Sequence, residues 1–181
     1  ARAAVDAARR RLRPALRGAA APAARALRRP TPAKPHYTFN LRDFSRVVQG
    51  VLLQEPSDQF QNKPSVMRLW THEALRVFGD RLTDDTDRQW MCDHCSAMCK
   101  EVFKCDFQSE FDHIRPSDET ETGYGTLRRL FWGDYMTPAD EDERPYAEVP
   151  DLQQLQERTE EALAEGIEVG LVPFEAGHLS M

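Results

Sequence analysis

Four cysteines within one short stretch are the residues best suited to metal chemistry. Cys92 and Cys95 form a CxxC pair, and Cys99 and Cys105 follow closely. Thiolates at such spacing bind zinc. The stretch has no Gly or Pro for the sharp turn of a zinc knuckle, however, and its apolar residues recur every three or four positions. The sequence therefore favours small buried helix residues and no metal, with a zinc site at these four cysteines as the alternative.

The histidines suggest a second kind of chemistry. His72 and Glu73 begin an HExxH zinc-protease pattern, but Arg76 stands where the second metal-binding histidine belongs. The other histidines lie far apart in the sequence, beside no glycine-flanked Ser or Cys nucleophile. The chain also lacks a GxxxxGK[ST] loop, whose backbone amides would cradle phosphates. We therefore predict no catalytic residue in this chain, and no ATP hydrolysis by this chain alone.

Charge is divided unevenly along the chain. Residues 1–34 are rich in Arg, whereas the remainder carries the acidic excess behind the net charge of −6. Pro14, Pro22 and Gly18 would interrupt a helix in this arm, so we expect it to be irregular and partly disordered. The arm has no aromatic residue to stack on bases, and its attraction to nucleic acid would be nonspecific. No run approaches the roughly 18 apolar residues of a membrane span. We expect neither a nucleic-acid nor a membrane partner.

Beyond the arm, hydrophobic periodicity predicts three helices. Asn40 can cap a first helix whose third position is Asp43 and which continues to about Gln54. A second helix is expected from a cap at Ser65, and a third over about residues 86–107. Three helices with short polar connections imply an all-α fold, a small helical bundle. The predicted core positions on these helices are Phe44, Val47, Val51, Leu69, Trp70, Phe78 and Trp90.

The remainder of the sequence is less regular. The apolar patch from Leu127 to Met136 is too short for a clear period and suggests a packed loop or a short helix. An acidic loop is expected over residues 140–143, and a final connector helix from Pro150 to near Gly166. The predicted divisions of the chain are an arm at 1–34, a helical unit at 35–132 and a connector at 133–181.

Three long and specific stretches indicate a family. They read PTPAKPHYTFNLRDFSRVVQG at residues 30–50, RLWTHEALRVFGDRLTDDTDRQW at 68–90 and LFWGDYMTPADEDERPYAEVPDL at 130–152. In this order they resemble dynein heavy chains, at the lid after the third AAA+ module and the start of the fourth module. The chain thus looks like a fragment of a longer protein. The residues from Asn40 to Arg42 and from Gly133 to Met136 are similar to those of axonemal, inner-arm type heavy chains.

The resemblance implies a mechanical role inside a motor. Heavy chains of this family are ATPases that move toward the minus end of microtubules, and an AAA+ lid closes over nucleotide held by the preceding module. An arginine near the first lid helix often reaches the phosphates as a sensor. Arg42, and Arg46 one turn later, are therefore the nucleotide-sensing candidates. The alternative for Arg42 is a surface or intersubdomain salt bridge. The core residues would stiffen a lid that moves as a rigid body.

The resemblance also implies cofactors, partners and a location. This stretch would hold no cofactor itself, whereas the parent motor would bind ATP or ADP with Mg. Its partners would be neighbouring AAA+ modules of the same chain and, through the parent, dynein intermediate and light chains and microtubules. The location would be the cytoplasm and cytoskeleton, in the axoneme of a cilium or flagellum. The competing function is a small helical metal-binding or protein-interaction module around Cys92 to Cys105.

Overall fold

The structure, a computed structural model, describes residues 30–54, 63–134, 136, 145–149 and 151–168. Helices dominate these residues, and the strands among them form one short pair. The predicted all-α class is therefore confirmed. The predictions for most of the arm, for the acidic loop at 140–143 and for the end of the chain lie outside the described residues.

The first two long helices pack against each other. Helix α1 comprises Leu41–Leu53 and helix α2 comprises Lys63–Val77. The first helix begins after Asn40 and ends before Gln54, as the periodicity predicts. The second begins earlier than expected, so Ser65 lies inside it and is not its cap. Pro64 is tolerated here because the first helical turn has backbone N–H groups that no carbonyl of the helix accepts.

The third long helix changes its hydrogen-bond pattern near its end. Helix α3 comprises Asp85–Met98 and passes into a π-helical turn at Cys99–Phe103. Lys104 then adopts a left-handed conformation, with φ of 59°, and its N–H donates to the Cys99 carbonyl. The prediction of one uninterrupted helix over about residues 86–107 is therefore wrong at its C-terminal end. In a π turn each backbone N–H bonds to the carbonyl five residues earlier, and this change needs no Gly or Pro. Composition therefore does not reveal it.

Short elements complete the bundle. In chain order they are a 3₁₀ turn at Gly79–Arg81, helix α4 at Phe107–Glu110, a 3₁₀ turn at Asp112–Ile114 and helix α5 at Tyr124–Leu127. Strand β1, Trp132–Gly133, pairs antiparallel with strand β2, Ala147–Glu148. The apolar patch from Leu127 to Met136 thus contains the end of a short helix and a strand. Local sequence cannot predict that strand, because its partner lies further along the chain, after residues 140–143.

The core lies among α1, α2, α3 and the short elements. Five of the residues assigned to it from the sequence are buried, namely Val47, Val51, Leu69, Trp70 and Phe78. Phe44 and Trp90 are half-buried at the edge. The Trp90 ring stacks on His94 one turn later, with ring centroids 5.3 Å apart. The Trp70 ring contacts Phe103 of the π turn at 5.9 Å between centroids, which joins α2 to the end of α3.

The chain ends its described part in helix α6, Leu152–Glu168. The helix follows Asp151, whose Oδ1 accepts the N–H of Gln153 at 3.0 Å, close to the predicted start at Pro150. No helix among the described residues is both long and apolar enough to cross a membrane. The divisions at 34/35 and 132/133 stay predictions. Contacts made by Lys34 and by the strand pair cross both of them.

Candidate functional site

The N-terminal turn of α1 carries the first arginine candidate. Asn40 Oδ1 accepts the backbone N–H of Arg42 at 2.8 Å and that of Asp43 at 3.3 Å. In return, Asp43 Oδ2 accepts the N–H of Asn40 at 3.0 Å, which completes a capping box. The Arg42 side chain is exposed, and within the described ranges its guanidinium has no ion-pair partner. The turn is therefore fixed while its arginine stays accessible.

Asp43 is buried beneath this turn and is held by arginines from two directions. Arg81 Nη2 donates to Asp43 Oδ1 at 2.6 Å, and Arg46 Nη1 lies 3.9 Å from the same oxygen. The hydrogen bond from Arg81, helped by the Asn40 N–H and both positive charges, lowers the pKa of Asp43. Because Arg81 belongs to the 3₁₀ turn after α2, Asp43 ties the start of α1 to the end of α2.

The two arginine candidates therefore differ in what they can still bind. Arg46 already forms an ion pair with the carboxylate of Asp43. A guanidinium presents N–H donors in a planar fork that matches phosphate or carboxylate, and Arg42 has this fork available. Asn40 Oδ1 already accepts the backbone amides of Arg42 and Asp43. An anion at this turn would therefore be bound mainly by the Arg42 side chain.

The segment that leads into α1 is anchored to the start of α3. Lys34 Nζ binds the carboxylates of Asp84, at 2.9 Å, and of Asp87. The buried Tyr37 donates its hydroxyl to Asp87 Oδ2 at 3.0 Å and accepts the N–H of Thr83 at 3.2 Å. The hydrogen bond from Lys34 lowers the pKa of Asp84 to about 2, and the bonds to Asp87 and Asp84 raise the pKa of Lys34. Lys34, assigned to the arm from the sequence, is thus part of the bundle.

Three of the four cysteines are enclosed by the bundle. Cys92, Cys95 and Cys99 are at most 3% exposed, whereas Cys105 is half-buried. Burial raises the pKa of the Cys92 thiol to about 11 and that of the Cys99 thiol to about 12, and it also raises the pKa of the Cys95 thiol well above its ordinary value. The protonated thiol is therefore favoured, which opposes metal binding because a metal binds the thiolate. Within the described ranges, no group of three or more His, Cys, Asp or Glu residues could hold a metal ion.

A buried carboxylate in the middle of α2 was not among the residues singled out as functional. Tyr146 donates its hydroxyl to Glu73 Oε1 at 2.6 Å, and His72 Nδ1 lies 3.3 Å from the same oxygen. On its other side the carboxylate lies against Gly50 of α1, where a Cβ atom would overlap it. Glu73 thus joins α1, α2 and the segment before β2. Tyr146 and Gly50 are remote from Glu73 in sequence, so no local pattern identifies them as its neighbours.

A second polar cluster joins α2 to β2. Arg68 Nε donates to Glu148 Oε1 at 3.1 Å and Oε2 at 2.9 Å, and Arg68 Nη1 donates to Glu110 Oε2 at 3.3 Å. His113 Nε2 lies 3.0 Å from Glu148 Oε1. The side chains of Arg68 and Glu148 are 19% and 15% exposed, so water screens this pair only partly. These contacts hold β2 on the bundle at a point separate from Glu73.

Comparison with known proteins identifies a family for this part of the chain. A family model described as dynein heavy chain, ATPase lid domain, matches residues 28–88. That range contains α1, α2 and the anchor at Lys34, together with Arg42, Arg46, Asp43 and Arg81. The capped turn with Arg42 and its supporting ion pairs therefore lies inside the matched range.

Similar proteins cover more of the chain than the family model does. Dynein axonemal heavy chain 12 of Mus musculus is 47% identical over 137 residues, which is 75% of this chain and 4% of that relative. The Homo sapiens protein of the same name is 46% identical over 137 residues. Dynein axonemal heavy chain 3 of Homo sapiens is 41% identical over 145 residues, 80% of this chain and 3% of that relative. The chain thus spans only 3–4% of the length of these curated relatives.

Proposed function

Because the chain belongs to the dynein heavy chain family, we propose that it forms the lid after the third AAA+ module of a heavy chain and the start of the fourth. The match of the lid family to residues 28–88 supports the first part of this proposal. The similarity to axonemal heavy chains continues past the lid, over three quarters of the chain, which supports the second.

The proposed role of the lid is to report the state of nucleotide in the preceding module, with Arg42 as the contact. The observation that carries this role is the exposed guanidinium of Arg42 on a turn fixed by the capping box. A phosphate is a suitable ligand because Asp43, the neighbouring carboxylate, is buried and paired with Arg81. Arg46 is the weaker candidate, since it already approaches Asp43.

Two sets of ion pairs connect the turn that carries Arg42 to the rest of the bundle. Asp43 and Arg81 tie the capped turn to the far end of α2, while Lys34 ties the preceding segment to α3. A pull on Arg42 would therefore move the bundle as a body and not bend α1 alone. In the parent motor, ATP or ADP with Mg would be held by the preceding module, and this chain would add the arginine.

At the scale of the parent protein, we propose a motor for minus-end-directed movement on microtubules in the axoneme of a cilium or flagellum. The relatives are named axonemal heavy chains, which supports this location within the cytoskeleton. The proposed partners are the neighbouring AAA+ modules and, through the parent, intermediate chains, light chains and microtubules. The inner-arm assignment remains a prediction from the residues at 40–42 and 133–136.

The sensor role is tested by replacing Arg42 in an intact motor. This chain would be placed in the matching position of mouse axonemal heavy chain 12, with nucleotide binding disabled in every module except the one preceding the lid. Removing a charged hydrogen bond to phosphate costs about 1.5–3 kcal/mol, so Arg42→Ala should raise the Kd for a fluorescent ATP analogue about tenfold or more. Arg46→Ala should change this Kd less than threefold.

The two variants separate a sensor from a general surface charge. Equal, small effects of Arg42→Ala and Arg46→Ala would show that neither arginine reaches the nucleotide. A large effect of Arg46→Ala alone would move the sensor one turn along α1. Arg42→Lys keeps the charge but loses the fork, and it should restore only part of the affinity if two phosphate oxygens are bound.

A further inference from the structure

We propose that Glu73 is a positioning residue that couples the docking of the segment at residues 145–149 to the packing of α1. The coupling passes from Gly50 of α1, through the Glu73 carboxylate of α2, to the Tyr146 hydroxyl. The functional role of this coupling rests on the proposed function, because a motor benefits from it only if the lid transmits motion. Its existence does not depend on nucleotide.

The first step is the close approach at Gly50. Gly50 is buried on the face of α1 that packs on α2, and a Cβ atom there would overlap Cδ and Oε2 of Glu73. A larger residue at position 50 would therefore require the carboxylate to leave its place. Because the obstacle is the end of a flexible side chain, that rotation relieves the overlap without separating the two helices.

The second step is the contact with the strand segment. Tyr146 donates to Glu73 Oε1 at 2.6 Å, and the Tyr146 ring lies 6.3 Å from the ring of Trp132 in β1. The next residue, Ala147, pairs with Gly133, and the Val149 N–H donates to the Phe131 carbonyl at 2.9 Å. Tyr146 thus stands at the entry of the strand pair and attaches it to the bundle.

The two steps share one carboxylate, so they depend on each other. Rotating Glu73 away from Gly50 also removes Oε1 from the Tyr146 hydroxyl. His72 Nδ1, at 3.3 Å from the same oxygen, would lose its contact at the same time. Whatever displaces Glu73 therefore loosens the strand segment. The cluster of Arg68 and Glu148 holds β2 independently, so loosening is partial and the bundle stays folded.

The test measures hydrogen exchange of the Val149 amide in the full chain of 181 residues. Tyr146→Phe should speed this exchange about fivefold, the factor expected when one ordinary hydrogen bond is lost. Gly50→Ala should speed it by a similar factor, although position 50 is in another helix. The double variant should exchange no more than about twofold faster than either single variant, because both changes break the same contact.

Two controls separate this coupling from general destabilisation. Tyr124→Phe removes a tyrosine hydroxyl bonded to the Gly79 carbonyl at 3.1 Å, and Gly123→Ala adds a Cβ with nothing within 4 Å. Neither should change Val149 exchange more than twofold. In a Glu73→Ala background, where the overlap and the acceptor are both absent, Gly50→Ala should likewise have no further effect.

Three results would overturn the proposal. They are unchanged Val149 exchange in Gly50→Ala, fully multiplied effects in the double variant, and an undiminished effect of Gly50→Ala in the Glu73→Ala background. If Gly50→Ala lowers the melting temperature too far for exchange, the comparison of Tyr146→Phe with Tyr124→Phe and Glu73→Ala still decides whether Glu73 holds the strand. The measurement needs neither nucleotide nor motor, so it can succeed or fail independently of the experiment on Arg42.

Discussion

Trp70 is the largest side chain that the core encloses almost completely, at 1% exposed. Trp70→Ala should lower the free energy of unfolding by about 3–5 kcal/mol, because it leaves a large cavity between α2 and the π turn. The measurement is urea unfolding of the full chain at neutral pH. Trp90→Ala, at the half-buried position beside His94, is the matched control and should cost clearly less. Equal losses would show that Trp70 is not a central packing residue.

The indole nitrogen of Trp70 permits a finer version of the same test. This N–H is buried and has no hydrogen-bond partner among the residues that the structure describes. Trp70→Phe removes that unsatisfied donor while keeping an aromatic ring against Phe103. The change should therefore cost less than about 2 kcal/mol in urea unfolding. A loss as large as that of Trp70→Ala would mean that the donor is satisfied in solution.

Residue roles were predictable where they depend on neighbours in sequence. The cap at Asn40 follows from an Asn three residues before an Asp, and the structure contains both of its hydrogen bonds. The ion pair of Asp43 with Arg81 depends on how the end of α2 returns to the start of α1, which no local pattern encodes. The sequence places Glu73 only in an incomplete HExxH pattern, whereas its structural role comes from Gly50 and Tyr146.

At the level of elements, the end of α3 offers the clearest test of backbone conformation. Lys104 has φ of 59°, a region that costs an ordinary residue about 1–2 kcal/mol and glycine much less. Lys104→Gly should therefore raise the free energy of unfolding by about 0.5–1 kcal/mol, measured by urea unfolding.

A glycine placed before that junction should act in the opposite direction. Lys100 is also exposed but lies inside the π turn, so Lys100→Gly should lower the free energy of unfolding by up to about 1 kcal/mol. Matching effects at positions 100 and 104 would contradict the proposed strain at Lys104. The comparison is useful because both changes remove one lysine and thus alter the net charge equally.

The elements differ in how far sequence predicts them. Helices α1 and α2 have long apolar faces, and periodicity predicted both to within a few residues. The sequence does not predict the π turn, because the turn contains no helix-breaking residue and its buried Phe103 fits an ordinary helix equally well. The sequence does not predict the pairing of β1 with β2, because two residues per strand carry too little pattern and the partners are well separated along the chain.

Over the whole molecule, ion pairs join segments that are far apart in sequence, and two of them predict how stability depends on pH. The pKa values of Asp43 and Asp84 are both lowered, by Arg81 and by Lys34 respectively. A carboxyl with a lowered pKa binds fewer protons in the native state than in the unfolded state. It therefore stabilises the fold above its ordinary pKa of 3.8, and this contribution is lost as pH falls toward about 2 for Asp84.

Urea unfolding at pH 7, 4 and 2 would measure this dependence. The free energy of unfolding should fall between pH 4 and pH 2. Asp43→Asn should be less stable than the native chain at pH 7, because Arg81 loses its charged partner, and should lose less stability on acidification. Asp85→Asn removes an exposed carboxylate whose partner, Arg88, lies three residues along the same helix, and it is the control for a local surface pair. Parallel pH curves for the native chain and Asp43→Asn would contradict the assignment.

The enclosure of the cysteines makes the chain its own reporter of opening. Cys105 is half-buried and should react first with a thiol-alkylating reagent, whereas Cys92, Cys95 and Cys99 react only when the bundle opens around them. Mass spectrometry distinguishes chains that have gained one label from chains that have gained four. The rate at which the last three labels appear therefore measures how often α3 separates from its neighbours. Such a measurement needs no introduced dye, because the reporting thiols are native to the chain.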